Sequence, residues 1–352
     1  MTESEPQRPV TMRDVAKAAG VNPSTVSRAL RNDQNVSKKR REQIIEIADK
    51  LGYRPNPFVQ AFTAHVRGYR RLPSHAPIAL LNSSQKQSGF NDLYAEGAVK
   101  YAHSMGYKIE PIHIDSVKGS FSRLKDVLIA RGIRALLILP PAELIQMPEL
   151  MDFPLAMSTI DYSLKNPNLH RATPSYFQNM EMALRVCAQK GYKRMAFCTY
   201  REEVDRIGMH WMGAFCGWRD LQVPANQVPI HYNPYSGNHN ENSSKDDWDQ
   251  LKDSFFEWFE REKPDLIIAN SLFFYEWLKE KGLTFPHDIG FVHLGVNPSE
   301  ESVSGIDQNH PQIGAAAVEL IINQLQKNTQ GVPPTMQTVL VYGNWIDGGT
   351  TR

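Results

Sequence analysis

The stretch "DVAKAAGVNPSTVSRAL", residues 14–30, sets the architecture of the start of the chain. Two short apolar clusters flank Gly20, and a glycine there admits the positive φ that a tight three-residue turn requires. Asp14 to Ala18 reads as one short helix. Asn22 suits an N-cap and Pro23 the first helical position, where its missing N–H costs nothing. A second helix then runs to about Leu30, with Val26, Ala29 and Leu30 facing inward and the small Ala16 where the two helices cross. Ser37 is placed to cap a third helix, in which Ile44, Ile47, Ala48 and Leu51 follow the i, i+3, i+4, i+7 stripe. Gly52 ends it. The expectation is a helix-turn-helix with one supporting helix.

The outward face of the second helix carries Ser24, Thr25, Ser27 and Arg28. Short hydroxyls reach phosphates or base edges without bulk, and a guanidinium can fork onto guanine O6 and N7 in a major groove. Charge agrees with a polyanionic partner. Residues 1–72 hold 14 Lys and Arg against 7 Asp and Glu, whereas the remaining 280 hold 25 against 31. A basic head on a mildly acidic body is the footprint of nucleic-acid binding. The bland alternatives are a solvated basic surface or a three-helix protein-interaction module.

The run "VTMRDVAKAAGVNPSTVSRALRNDQNVSKKRREQIIEIADKLGYRPNP" closely resembles the headpiece of LacI/GalR-type bacterial transcription regulators, almost unbroken from Val10 to Pro57. The trailing "LGYRPNP" is absent from a generic helix-turn-helix. The combined reading makes Ser24 and Arg28 base contacts on double-stranded DNA. Asn22, Thr25, Ser27, Asn35, Ser37, Lys38 and Lys39 become phosphate contacts, with the basic run extending to Arg41. Residues 56–66 read independently as three turns of helix, capped by Asn56 and opened by Pro57. A helix that short is marginal in water and needs support. The resemblance implies a minor-groove hinge helix here, involving Asn56, Val59 and Phe62. Phe62 takes the place of a wedging leucine, and Phe is itself a wedge residue. The alternative is that Phe58 and Phe62 pack on each other.

The chain's 352 residues suit two or three domains, at an ordinary globular 41% hydrophobic and 22% charged. The start, MTESEPQRPV, has no apolar core, so no secretory signal is expected. The longest apolar run, near Ala135–Leu139, falls far short of the roughly 18 residues that span a bilayer. Cys187, Cys198 and Cys216 show no C-x-x-C spacing and imply reduced thiols in a cytoplasmic protein.

From Ile78 onward short apolar strands alternate with striped helices. The strands are expected at Ile78–Leu81, Ile109–Ile112, Ala135–Leu139, Leu155–Ile160, Met195–Cys198, Leu266–Ala269, Ile289–His293 and Val339–Tyr342. Such alternation means parallel sheets covered on both faces, and two sheets fit the length. "GYKRMAFCTY", "KPDLIIAN", "DIGFV" and "GIDQNHPQIGAAAVELIINQL" resemble, in order, the two-lobed periplasmic-binding-protein-like effector domain of the same regulators. The expected fold class is therefore α/β: an all-α headpiece at 10–55, a hinge and linker at 56–73, and a doubly wound, two-lobed effector-binding and dimerisation domain at 74–352.

Ligands of open α/β sheets sit beyond the carboxyl ends of strands. That rule selects Asn82 and Ser84, Asp161 and Tyr162, Thr199 and Tyr200, and Asn270. Phe90, His210 and Phe273 join Asn82, Ser84, Asp161 and Asn270 as expected effector contacts. The aromatics Trp211, Phe273, Phe274 and Tyr275 suit a sugar face, or else core packing. Two positions depart from the resembled pattern. The usual arginine three residues before Gly213 is His210, and the usual aspartate after "DIGFV" is Gly295.

No G-x-G-x-x-G, P-loop, H-E-x-x-H or nucleophile elbow occurs, and no cofactor is expected. The reading is a homodimeric regulator, acting as a repressor, on a pseudo-palindromic operator. A small polar effector, sugar-like by the resemblance, controls it, and no membrane is involved. Without leucine heptads before Arg352, no tetramerising tail is expected. The competing reading is an α/β metabolic enzyme with a helix-turn-helix for autoregulation.

Overall fold

A computed structural model describes residues 11–30, 36–53, 76–82, 90–141, 144–233, 245–297 and 302–352. Three helices form the head: α1 (Met12–Ala19), α2 (Pro23–Leu30) and α3 (Lys38–Lys50). Asp14 reaches back to the start of α1, accepting from the Thr11 backbone N–H at 2.8 Å and the Thr11 hydroxyl at 2.6 Å. This is the reciprocal N-terminal capping arrangement. Gly20 ends α1 at φ 61°, as the turn requires. Val15, Ala16, Val26, Ala29, Val36, Ile44 and Ala48 make one small core.

Two details of the head differ from expectation. Ser37 occupies the N-cap of α3, its carbonyl accepting the first helical bond from the Arg41 N–H at 3.0 Å, but its hydroxyl makes no capping bond. Leu51 does not complete the buried stripe. It lies past the last turn and is exposed, because a three-helix core this small closes at Ala48.

The body holds, in chain order, β1 (Ala76–Asn82), α4 (Asn91–Ser104), β2 (Tyr107–His113), α5 (Phe121–Ala130), β3 (Ala135–Ile138), β4 (Ile145–Gln146), β5 (Ala156–Ile160), β6 (Leu164–Asn166), β7 (His170–Pro174), α6 (Tyr176–Gln189) and β8 (Met195–Tyr200). There follow α7 (Arg201–Ile207), α8 (His210–Asp220), β9 (His231–Asn233), α9 (Lys245–Glu262), β10 (Leu266–Ala269), α10 (Phe273–Glu280), β11 (Gly290–His293), β12 (Gly305–Asp307), α11 (His310–Lys327), β13 (Thr338–Val341) and β14 (Asn344–Ile346). Two six-stranded sheets result, ordered β13-β7-β5-β3-β1-β2 and β14-β12-β11-β10-β8-β9. Pairing is parallel throughout these sheets except at β12–β14. Apolar side chains fill both faces of each sheet, as parallel sheets demand.

All eight expected strands are present. β4, β6, β7, β9, β12 and β14 are additional, and each is five residues or fewer, too short to show a period in sequence. The chain passes between the two lobes three times: from β7 to α6, from β12 to α11, and from β13 to β14. Buried Asn179 fixes the last passage, its Oδ1 accepting from the Gly343 N–H at 3.0 Å. A Cβ on Gly343 would lie 2.6 Å from the Asp307 carbonyl. In the first lobe α4 and α11 touch backbone to backbone. A Cβ on Gly97 would sit 1.8 Å from the Pro311 carbonyl oxygen, and one on Gly314 2.0 Å from that of Tyr94.

Candidate functional site

The head presents its polar residues outward. Asn22, Ser24 and Arg28 are exposed, and Thr25 and Ser27 half-buried. The Arg28 guanidinium rests along its own helix, Nε 3.4 Å from the Ser24 carbonyl. Ser37, Lys38 and Lys39 are exposed at the start of α3, whose N-terminal dipole also favours phosphate. The other two arginines of the basic run bond within the head, Arg40 from an exposed position and Arg41 half-buried. Arg40 donates to the Ala19 carbonyl at 3.1 Å, tying α3 to the end of α1. Arg41 donates to the Val36 carbonyl at 3.1 Å. Both therefore help to hold the head together. Asn35, Asn56, Val59, Phe62 and Ser84 lie outside the described residues.

Between the lobes lies a cavity of about 510 Å³, within the usual range for small-molecule sites. Asp161, from the end of β5 in the first lobe, and Asn270, just past β10 in the second, face each other across it. Phe90 joins them in the wall. These are three of the expected effector residues. His210 and Phe273 are not in that wall. His210 sits behind it, its ring 5.1 Å from Tyr162 and 6.5 Å from Tyr176. Phe273 packs against Phe274 and Trp277 on the far side of its helix, because α10 must cover the second sheet. Asn82 ends β1 outside the lining.

The polar centre is a charge cluster of which sequence reasoning found Asp161 but missed Arg206 and Glu203. Asp161 is 2% exposed and takes φ 62°. Its Oδ1 accepts from the Tyr176 hydroxyl at 2.9 Å and the Tyr162 N–H at 2.8 Å. Its Oδ2 accepts from Arg206, in the opposite lobe. Arg206 also forks onto Glu203, at 3.0 and 2.6 Å. Burial opposes its charge, but Glu203 and Asp161 outweigh burial and hold the guanidinium protonated well above its usual range. Such bidentate, charge-assisted pairs are the strong ones.

Histidines and aromatics complete the wall. His310 opens α11 and stacks on Phe90 at 4.3 Å, with Tyr94 edge-on at 5.0 Å. Burial lowers the His310 and His293 pKa values to about 4, so both are neutral near pH 7. Burial, reinforced by Asp161, raises the Tyr94 and Tyr176 phenols far above their ordinary range. Gln308 donates to the Leu294 carbonyl. It lies 3.4 Å from where a Gly295 Cβ would be, about van der Waals contact. The Trp211 indole N–H and the Asn270 Oδ1, both on lining residues, are buried without a hydrogen-bond partner among the described residues.

Residues 11–56 match the family described as bacterial regulatory proteins, lacI family, and residues 184–351 match a periplasmic binding protein-like domain. The chain belongs to the lacI family of bacterial regulatory proteins. Family relatives share local stretches with it. The HTH-type transcriptional regulator GalR of Lacticaseibacillus casei is 30% identical over 128 residues, 35% of each chain. GalS of Salmonella typhimurium is 46% identical over 57 residues, 16% of this chain and 17% of that one. The match thus spans about a third of the length of GalR and less of GalS. Solved structures share the fold over nearly the whole length. The transcriptional regulator CelR–cellobiose complex superposes with a TM-score of 0.57 at 17% identity, over 97% of this chain and all of that one. The lac repressor dimer bound to operator and the anti-inducer ONPF gives 0.54 at 16%, over 98% and 99%. Among the described residues no helix is long and apolar enough to cross a membrane.

Proposed function

We propose that this member of the lacI family is a sequence-specific DNA-binding transcription regulator, acting as a repressor, whose operator affinity is set by a small polar ligand in the inter-lobe cavity. One observation carries the reading: a helix with an exposed Ser/Thr/Arg face and a cavity walled from two lobes occur in the same chain. Residues 10–55 form the reading head, 56–73 the hinge and linker, and 74–352 the ligand-binding and dimerising body. Ser24 and Arg28 read bases. Asn22, Thr25, Ser27, Asn35, Ser37, Lys38 and Lys39 meet phosphates, and Asn56, Val59 and Phe62 enter the minor groove. A twofold protein calls for twofold DNA, so the partner is a pseudo-palindromic operator bound by a homodimer in the cytoplasm. Sugar-like effectors are the first choice, because the CelR–cellobiose complex carries such a ligand in its name.

The protein regulates rather than catalyses. Its buried thiols are poor nucleophiles, since burial pushes Cys187 up to about 12 and Cys198 also well above its usual value. The test is selection of a binding site from random duplex DNA by the full chain, followed by light scattering and titration of a sugar panel. A dimer on a palindromic site whose affinity moves with one sugar is expected. A monomer that binds tightly, or an affinity that no cavity ligand changes, would overturn the corresponding part.

A further inference from the structure

Four carboxylates line the cavity, Asp161, Glu202, Glu203 and Asp205, against a single guanidinium, Arg206, among the described lining residues. That guanidinium is already engaged by Asp161 and Glu203. Asp205 pairs outward with Arg201 at 2.7 Å, which leaves Glu202 exposed with nothing described to balance it. The two lining histidines are held neutral by burial. Helices α4, α6 and α11 begin at this wall, with Phe90, Tyr176 and His310 at or beside their first residues. Each helix end carries at most roughly half a positive charge, and its influence fades within the first turn. Among the described lining residues the balance is therefore negative, and none of them is a free cation waiting for an anionic group. Flat faces are plentiful: the Phe90–His310 stack, and the Tyr176–Trp211 pair at 4.9 Å.

We propose that the cavity selects an uncharged or cationic small molecule with a flat apolar face, and turns away phosphorylated or carboxylated ones. This deepens the reading of the cavity as the effector site and rests on it. The physical reason is that an anion entering here meets carboxylates in a partly desolvated space without a counter-charge. A sugar ring or an amine, by contrast, meets aromatic faces and acceptor oxygens.

The test reads the sign of the potential without knowing the ligand. Leu144 lines the cavity and is 44% exposed, so Leu144→Cys places a thiol there in a background carrying Cys216→Ser. Its modification rates by a cationic and an anionic methanethiosulfonate of similar size are compared with those of a free thiol in the same buffer. The cationic reagent should be favoured at least fivefold beyond the free-thiol ratio. The preference should shrink with added salt and with Glu202→Gln. A ratio equal to that of the free thiol, or a reversed one, overturns the proposal. Operator binding plays no part in the readout, so a failure of the regulatory reading would be seen separately, as an operator affinity indifferent to ligands.

Discussion

Arg28 and Lys39 separate two ways a residue can hold DNA. Arg28→Ala should weaken cognate operator binding by about 1–3 kcal/mol and change binding to random duplex little. Lys39→Ala should weaken both and flatten the salt dependence. Binding isotherms on the two duplexes at several salt concentrations check the pair, and equal losses on both for Arg28 would refute base reading. In the cavity, Arg206→Met would strand two buried carboxylates. A broken buried pair of this kind costs about 3 kcal/mol, so the midpoint of urea unfolding should fall clearly. The rule that ligands sit past strand ends found Asp161 and Asn270, because those residues directly follow an apolar run. It missed Arg206, because "REEVDR" looks like a solvated, salt-bridged helix face. The available signal was Glu203, which shares its helix stripe with Val204 and Ile207 and is buried like them. A carboxylate in an apolar stripe implies a partner.

At the scale of elements, the helix-turn-helix was legible because capping, turn glycine and apolar stripe are all local signals that agree. Lobe packing was less so. Gly97 and Gly314 sit inside helices, where glycine is unfavourable by about 1 kcal/mol relative to Ala, and nothing in the sequence pairs them. The structure does: each lets the other's helix backbone approach closer than any side chain permits. Gly97→Ala should therefore destabilise the body by about 3 kcal/mol despite the better helix propensity, since overpacking forces backbone shifts. Chemical denaturation followed by tryptophan emission reads this, all six tryptophans lying beyond the head. A neutral or stabilising result would show that α4 and α11 can separate freely. Phe273 and Phe274 teach a similar lesson. Adjacent aromatics on one helix cannot both face the cavity, and the need to cover the second sheet turns them both away from it.

The whole molecule should be acid-sensitive. Burial lowers His231, His293 and His310 to about 4, below the value near 6.5 of an unfolded chain. Folding thus favours their neutral forms. Their contribution is complete above about pH 6.5 and is lost as pH falls toward 4, with up to about 3 kcal/mol at stake for each. Urea midpoints at pH 7.5, 5.5 and 4.5 should fall in that order, and His231→Phe should reduce the fall. The two-lobed plan followed from strand–helix alternation, whereas the three passages between lobes depended on β7, β12 and β14, too short to announce themselves. Those passages have a mechanical consequence. Neither lobe is one continuous piece of chain, so neither can be expressed by itself by truncating one end. A protease that cuts a single passage leaves two covalent straps in place. The nicked body should still migrate as one particle under native conditions, and separate into two fragments only when denatured.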